Sequence, residues 1–295
     1  MPPMTTIDGR KYVTEARELT DRLLDEHLPS EATEPKTLHA AMRYSVMAGG
    51  KRLRPILALA AYEYCGGDAD AAPHTVHKAM PALEMVHTYS LIHDDLPCMD
   101  DDDLRRGRPT CHKQFNEAVA TLAGDALHVV AFELIAETGS VEVVRELARS
   151  GGTAGMLGGQ IADIEAEGRQ ITRAEIENIH LLKTAALIRG AVRIGALLAG
   201  ADPGVLERLS AYGEKIGLAF QIIDDILDIE GDQTLLGKDI GSDTRNAKAT
   251  YPGVVGLEAA KREAARLIDE ALACFGPDED NMLMWLARYI GRRNN

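Results

Sequence analysis

The sequence predicts an all-α fold, and three observations support this. Aromatic residues make up only 4% of the 295 residues, whereas alanine and leucine are plentiful, a balance that favours helices over a β-sandwich or barrel. Apolar residues recur at helical spacing along most of the chain. No segment reads as a convincing strand, and no linker or fixed-period repeat divides the chain. We therefore expect a single domain over residues 1–295 with a helical core.

Helical segments can be placed in order from the N-terminus. The stretch 14–28 has leucines at helical spacing, and 36–50 ends in a glycine pair, a common helix stop. The next segment runs to Asp94 and is predicted to end or kink at Pro97, whose ring cannot continue a helix. Later helices are predicted over 172–201, 205–231 and 258–290, the last interrupted by a loop around Gly276 and Pro277.

The composition limits the partners and compartment of the protein. The formal net charge of −14 makes nucleic acid and an anionic membrane surface poor partners. The four cysteines form no CxxC pair, the N-terminal stretch has no hydrophobic signal segment, and no run reaches the length needed to span a bilayer. We therefore expect a cytoplasmic protein with reduced thiols, without nucleic-acid binding or stable membrane insertion.

Two aspartate-rich segments are the strongest chemical signal. The first has six aspartates from Asp94 to Asp103, and the bend expected at its proline allows Asp100 to return towards Asp94. The second places Asp224 and Asp228 four residues apart on one helix face. So many like charges are unfavourable together unless a cation lies among them. Oxygen ligands without histidine or cysteine favour Mg²⁺ as that cation.

A solvated surface and an EF-hand are the alternatives to a Mg²⁺ site at these aspartates. Either segment alone fits a solvated surface, but both interrupt otherwise apolar helices, which disfavours solvation of the whole set. An EF-hand loop counted from Asp100 needs glycine at its sixth place and glutamate at its twelfth. The chain has Arg105 and Cys111 there, so an EF-hand is excluded.

Basic residues cluster beside the acidic segments. Lys51, Arg52 and Arg54 follow the glycine pair, and Arg105 and Arg106 follow the first aspartates. Each group alone fits a charged surface or pairing with neighbouring aspartates. Together with the predicted metal clusters, they indicate two anion sites, one held through metal ions and one held directly by guanidinium and ammonium groups. Two diphosphate sites suit a reaction in which one diphosphate ester ionises and a second attacks it.

Several motifs resemble, in the same order, those of the trans-prenyl diphosphate synthases. DDLPCMD resembles the first aspartate-rich motif of that family, in the form with four intervening residues, and DDILD resembles the second. GGKRLRP, LRRGRPTCH, GGQIADI, LKTAALI, LAFQIIDDILD, LGKDIGSD and KATYP also match. The likeness runs from about Gly49 to Pro252 and is looser towards the C-terminus, and residues 1–32 carry none of these motifs. Within the family, the chain most resembles bacterial farnesyl diphosphate synthases.

The resemblance implies a helix bundle around a central cavity, with the two aspartate motifs facing each other, and a homodimer. Mg²⁺, as three ions when substrate is bound, would be held by Asp94, Asp95, Asp100, Asp224 and Asp228. Isopentenyl diphosphate would be bound by Lys51, Arg54, His87 and Arg106. The allylic side would be formed by Arg105, Lys183, Thr184, Gln221, Lys238 and Lys248, of which Lys183, Thr184 and Gln221 would stabilise an allylic cation. A core histidine is the alternative role of His87, and ordinary helix polarity is the alternative for the polar helix residues.

The implied reaction is ionisation of an allylic diphosphate, attack by the double bond of isopentenyl diphosphate, and proton loss to the released diphosphate. Tyr89 lies five residues before Asp94, about 7.5 Å back along the helix axis. In bacterial farnesyl synthases an aromatic residue at this place goes with a fifteen-carbon product, so the resemblance implies farnesyl diphosphate. Ordinary core packing is the alternative role of Tyr89.

Geranylgeranyl diphosphate is the alternative product, and a non-catalytic subunit of a heteromeric synthase is the alternative role of the protein. Such subunits tend to lose one aspartate motif, and both are complete here. A terpene cyclase would lack the isopentenyl site, so GGKRLRP argues against it.

The chain departs from the family pattern in one place. DIGSD follows Lys238 where relatives often carry threonine and a second lysine, which leaves contacts near Asp239 and Ser242 open. At the C-terminus, Arg292 and Arg293 fit either a basic tail that closes the active site or a frayed end.

Overall fold

The computed structural model describes residues 8–69, 75–230, 248–277 and 279–292. It is helical throughout most of these ranges, which confirms the predicted all-α class. The helices are α1 (Gly9–His27), α2 (Lys36–Val46), α3 (Leu53–Tyr64), α4 (Val76–Asp94), α5 (Cys111–Gln114), α6 (Glu117–Ala136), α7 (Val141–Gly151), α8 (Met156–Ala166), α9 (Arg173–His180), a π-helix (Leu181–Ala185), α10 (Ala186–Leu198), α11 (Pro203–Glu230), α12 (Tyr251–Val255), α13 (Leu257–Leu272) and α14 (Met282–Gly291).

Side-chain caps determine where several helices begin. Helix α1 starts at Gly9 rather than at the predicted residue 14, because the Asp8 carboxylate accepts a hydrogen bond from Lys11 N at 3.1 Å. Asn116 caps α6 in the same way, accepting from Val119 N at 2.8 Å. Caps of this kind satisfy backbone N–H groups that have no partner inside the helix.

Two groups of buried apolar side chains form the core. One joins α3, α10, α11, α13 and α14 and includes Val192 and Ile222. The other joins α2, α4, α6 and α7 and includes Leu83 and Leu127. Helix α10 contributes to both groups. Each group therefore holds one of the two aspartate-bearing helices, α4 and α11, in place.

The predicted helical stretch 172–201 contains a π-helix between α9 and α10. This wider turn, Leu181–Ala185, carries Lys183 and Thr184. Gly159 of α8 lies directly against the backbone of Lys183, where a Cβ atom would have no room. The irregular turn therefore occurs where α8 packs very closely, and π-turns of this kind are frequent at functional sites.

A short hairpin corrects the expectation that the chain has no strand. Strands β1 (Leu104–Arg105) and β2 (Arg108–Pro109) pair antiparallel. Arg106 and Gly107 join them with φ of 56° and 74°, as a two-residue hairpin turn requires. Strands of two residues are too short to show alternation, which is why the sequence pattern does not predict them.

Helix α6 corrects the expectation about membrane-spanning length. Among the described residues it alone is long and apolar enough, by length and composition, to cross a bilayer. Part of its apolar surface is core, since Ala123, Leu127 and Ala131 are fully buried. A core helix passes the same test of composition, so this is weak support for a membrane span.

Candidate active site

Helices α4 and α11 and the basic motif GGKRLRP (residues 49–55) meet at one cavity of about 700 Å³. This volume is typical of small-molecule sites. Leu96, Met156, Ile179 and Phe220 contribute apolar wall. Thirteen of the predicted site residues line it: Lys51, Arg54, His87, Tyr89, Asp94, Asp100, Arg105, Arg106, Lys183, Thr184, Gln221, Asp224 and Lys248. Lys238, Asp239, Ser242 and Arg293 lie outside the described residues, and Arg292 caps the end of α14.

The first aspartate segment folds back as its proline predicts. Helix α4 ends at Asp94, and Asp100 N donates a hydrogen bond to Asp94 O at 2.8 Å. Asp101 then takes a left-handed conformation, with φ of 50°. Both Asp94 and Asp100 consequently line the cavity, and burial raises the pKa of Asp94. We call the part of the cavity lined by Asp94, Asp100 and Asp224 its acidic end.

Asp95 is placed differently from its neighbours. It is 3% exposed, does not line the main cavity, and accepts a hydrogen bond from Arg105 Nε at 2.9 Å. Burial raises the pKa of Asp95 to about 6, although the Arg105 guanidinium opposes the shift. Arg105 also pairs with Asp102 at 3.0 Å. In this structure Asp95 therefore orients Arg105, which itself reaches the cavity wall.

The second aspartate segment contributes Asp224 and Asp225 to the cavity lining, whereas Asp228, also described, lies outside it. Asp225 is 5% exposed and accepts hydrogen bonds from Gln221 Nε2 at 2.9 Å and Tyr251 N at 2.7 Å. Thr184 Oγ1 donates to Gln221 Oε1 at 2.7 Å. This chain of hydrogen bonds fixes the Gln221 amide and the Thr184 hydroxyl at the cavity wall.

Two lysines form ion pairs at the acidic end. Lys248 Nζ lies 2.6 Å from Asp100 Oδ1, and Lys183 Nζ lies 2.6 Å from Asp163 Oδ2. Burial disfavours the Lys183 cation, but the carboxylates of Asp163 and Asp94 outweigh burial and raise its pKa. Within the described part of the chain, no three carboxylate, imidazole or thiol groups form a ready-made metal cage.

A second group of lining residues, Lys51, Arg54, His87 and Arg106, is basic, and we call this part of the cavity its basic end. Arg54 is 8% exposed, its Nε has no hydrogen-bond partner among the described residues, and burial lowers its pKa to about 10. Burial and the neighbouring arginines hold the pKa of His87 well below its usual range. His87 is therefore neutral at pH 7. Arg106 Nη1 donates to the Gly49 carbonyl.

Tyr89 is packed between aromatic side chains beside the cavity. Its ring stacks on His128 with centroids 4.6 Å apart and meets His93 edge-on at 5.8 Å. The residue is 4% exposed, and its hydroxyl is buried without a hydrogen-bond partner in the described part of the chain. Burial raises the pKa of Tyr89 to about 12. The phenol is thus held by ring contacts and by packing within the apolar core.

Sequence reasoning misses three buried carboxylates at or against the cavity: Glu84, Asp163 and Asp225. Asp163 and Asp225 lie inside the motifs GGQIADI and DDILD, so the motifs offer a signal for both. Glu84 lies three residues before His87 on α4, outside all of the sequence motifs.

Comparisons with known proteins agree with this geometry. The Polyprenyl synthetase family model matches residues 35–288. Farnesyl diphosphate synthase from Bacillus subtilis (strain 168) is 50% identical over 251 residues, covering 82% of this chain and 83% of that protein. The chloroplastic heterodimeric geranylgeranyl pyrophosphate synthase large subunit 1 from Arabidopsis thaliana is 44% identical over 306 aligned positions, covering 99% and 81%.

A solved structure shows the same fold. The geranyltransferase from Helicobacter pylori, complexed with magnesium and isoprenyl diphosphate, superposes with a TM-score of 0.84 at 32% identity, over 97% of each chain. The family model covers most of this chain, and the relatives are well above 30% identical over most of their length. The chain belongs to the polyprenyl synthetase family.

Proposed function

We propose that the protein is a short-chain trans-prenyl diphosphate synthase that condenses isopentenyl diphosphate with dimethylallyl or geranyl diphosphate and releases farnesyl diphosphate. The observation that carries the proposal is the presence of an acidic and a basic end in one cavity. One end suits a diphosphate held through metal ions, and the other suits a diphosphate held directly by cations. This division matches a reaction between two diphosphate esters.

The acidic end fits a divalent metal. Its donors are carboxylate oxygens, the ligands that Mg²⁺ prefers, and they stop short of a complete cage. Mg²⁺ is usually bound by one or two carboxylates together with substrate phosphates, and the Helicobacter pylori relative was crystallised with magnesium. Asp94, Asp95, Asp100, Asp224 and Asp228 would hold it, as three ions with substrate bound. Asp95 would first have to release Arg105.

When bound, the metal neutralises charge that develops on the leaving diphosphate. The allylic diphosphate is also contacted by Arg105, Lys183, Lys248 and Lys238. The oriented Gln221 amide and Thr184 hydroxyl, with Lys183, line the place where the allylic cation forms. Lys51, Arg54, His87 and Arg106 bind isopentenyl diphosphate so that its double bond faces this cation. The released diphosphate accepts the proton, and the apolar wall keeps water out.

The fifteen-carbon product is supported by Tyr89. Its ring is fixed by His128 and His93 at the cavity lining, a turn and a half before Asp94 on α4. A growing chain that reaches this ring meets a rigid obstacle. Geranylgeranyl diphosphate is the second candidate product, because one relative at 44% identity is named for it while another at 50% is named for farnesyl diphosphate.

The experiment that tests the proposed function is product analysis. Purified protein is incubated with isopentenyl diphosphate, Mg²⁺ and each allylic starter in turn, and the dephosphorylated products are separated by chromatography. We expect farnesol as the main product from dimethylallyl and geranyl starters. A main twenty-carbon product would replace farnesyl by geranylgeranyl, and no product from any starter would contradict the proposal.

A homodimer and a cytoplasmic location are part of the same proposal. Large apolar side chains are exposed on α6 and α8, including Leu122, Val129, Leu157 and Ile161, which are 42% to 67% exposed. Leu122 and Val129 lie seven residues apart on α6, and Leu157 and Ile161 lie four apart on α8, so each helix carries an exposed apolar stripe, a feature typical of protein interfaces. Light scattering during size-exclusion chromatography checks the dimer, and a mass of 31.9 kDa at all concentrations would contradict it.

A further inference from the structure

Glu84 is a buried carboxylate at the basic end of the cavity. It lies on α4 three residues before His87, so the two side chains share a helix face. It is 1% exposed and belongs to the cavity lining. A buried carboxylate is strongly unfavourable unless it is paired and hydrogen-bonded, so its partners indicate what it does.

Two arginines from separate loops share one oxygen of Glu84. Arg52 Nη1 donates to Glu84 Oε1 at 2.8 Å, and Arg106 Nη2 lies 3.8 Å from the same atom. Arg52 is 2% exposed, and its other nitrogens donate to Asp21 Oδ1 at 2.8 Å and to Val46 O at 2.7 Å. The Arg52 guanidinium is therefore engaged on all sides by protein, so it anchors the loop rather than binding a ligand.

Both arginines also have an uncommon backbone conformation. Arg52 has φ of 50° and Arg106 has φ of 56°, in the left-handed region that glycine favours. The loops meet closely, because a Cβ atom on Gly50 would lie 2.8 Å from Arg106 Cζ. Strained conformations persist only where the surroundings hold them. Glu84 is a side-chain partner common to both arginines.

We propose that Glu84 is a positioning residue of the site for isopentenyl diphosphate. By holding Arg52 and Arg106, it fixes the two loops so that Lys51 and Arg54 converge with Arg106 on one diphosphate. The inference rests on the proposed function for the identity of that anion. The positioning role itself rests on the hydrogen bond from Arg52 and the ion pair with Arg106 at Glu84 Oε1.

Charge alone predicts the opposite effect from positioning. Glu84 is an anion among cations, so its neutralisation raises the positive potential and should tighten diphosphate binding. A positioning role requires that the same neutralisation weakens binding, because the loops lose their shared partner. The sign of the change in affinity therefore separates a positioning role from a purely electrostatic one.

The test uses Glu84→Gln, which keeps the shape and removes the charge. Calorimetry on the full chain, with chelator present, gives the Kd for isopentenyl diphosphate and for inorganic diphosphate, and steady-state kinetics give KM and kcat. We expect Kd and KM for isopentenyl diphosphate to rise tenfold or more, while KM for geranyl diphosphate changes less than threefold. An unchanged or tighter Kd would overturn the proposal, as would wild-type protein that binds neither diphosphate.

Two further variants keep the test decisive. Asp21→Asn removes the second carboxylate partner of Arg52 at a side chain that is 40% exposed, so it serves if Glu84→Gln does not fold. We expect Asp21→Asn to raise the same Kd by a smaller factor, and no change would count against the proposal. Glu146→Gln is the matched control: Glu146 is 8% exposed and lies 2.9 Å from Arg193 Nε, away from the cavity lining.

Glu146→Gln should leave the Kd for isopentenyl diphosphate unchanged. An equal loss of affinity in Glu146→Gln would show that any weakened fold has this effect and would overturn the role of Glu84. The Kd measurements do not require the protein to form product. Wild-type protein that binds isopentenyl diphosphate but forms no product would refute the proposed function and leave the Glu84 test in force.

Discussion

At the acidic end of the cavity, carboxylates from the first aspartate segment and from α8 form ion pairs with lysines that arrive from other segments, as Lys248 does with Asp100 and Lys183 with Asp163. At the basic end, two arginines share the carboxylate of Glu84, and the buried Nε of Arg54 has no hydrogen-bond partner among the residues that the structure describes. In the proposed function, the acidic end therefore accepts an anion only with added cations, whereas the basic end already presents cations to one. The two ends should differ in their dependence on metal.

The largest expected effect is on turnover when the acidic end is altered. Removing a group that stabilises transition-state charge typically lowers turnover by about 10²–10³-fold, so Asp94→Ala and Asp224→Ala should each lower kcat by at least that factor while the protein stays folded. Excess chelator should abolish turnover of the wild type. Asp103→Ala is the matched control, because Asp103 is exposed and paired with Lys113 at 2.8 Å. Full activity in excess chelator would exclude the metal.

The next effect separates the two substrates. Arg54→Ala should mainly raise KM for isopentenyl diphosphate, and Arg105→Ala should mainly raise KM for the allylic substrate. Loss of a charge-assisted phosphate contact costs about 1.5–3 kcal/mol, which is roughly ten- to a hundredfold in binding. Steady-state kinetics with each substrate varied in turn measure this. Equal effects of both variants on both substrates would contradict two separate sites.

A third effect concerns the product rather than the rate. Tyr89→Ala should shift the product towards twenty carbons or more, because the ring between His128 and His93 is removed, with kcat within about fivefold of wild type, since Tyr89 is not placed at the reacting atoms. Tyr89→Phe is the control, and it should keep the fifteen-carbon product because the hydroxyl has no hydrogen-bond partner within the described ranges. Chromatography of dephosphorylated products decides. An unchanged product from Tyr89→Ala would place the chain-length limit elsewhere.

The smallest expected effect is that of pH on the KM for isopentenyl diphosphate. Burial and nearby arginines hold the pKa of His87 well below 6.5, so the imidazole is neutral above that pH and gains no proton as pH falls from 8 to 6.5. KM for isopentenyl diphosphate should therefore stay constant, within about twofold, across this range. His87→Gln should show an equally flat profile. A KM that falls as the pH is lowered from 8 to 6.5, following the ordinary titration of histidine, would show that the imidazolium binds the diphosphate.

The sequence predicts much of this site, because its signals are local. The proline after α4 predicts the return of Asp100 to Asp94, and the two aspartate motifs predict that Asp94 and Asp224 line one cavity, although Asp228 does not line it. Long-range pairings have no such signal. Asp225 bonds to Tyr251, 26 residues later in the chain, and Glu84 gathers loops that lie 32 residues before it and 22 after it.

The same limit explains two features that the sequence does not reveal. Asp95 reads as a metal ligand from its motif, but the motif does not show that Arg105 on the hairpin pairs with it, because a hairpin of two-residue strands has no pattern in the sequence. Helix α6 shows that composition does not tell a core helix from a spanning one. For Asp95 and for α6, the contacts depend on which other part of the chain packs against them, and a single sequence does not specify that.

The most direct test of the difference between the two ends is metal-dependent binding. Calorimetric titrations of the wild-type protein measure the Kd of isopentenyl diphosphate and of a non-ionisable geranyl diphosphate analogue, with Mg²⁺ and with excess chelator. Isopentenyl diphosphate should bind with a Kd that changes less than threefold on chelation, whereas the allylic analogue should lose at least a hundredfold in affinity. Equal losses for both ligands, or none for either, would contradict the division of the cavity into a metal-dependent and a metal-independent end.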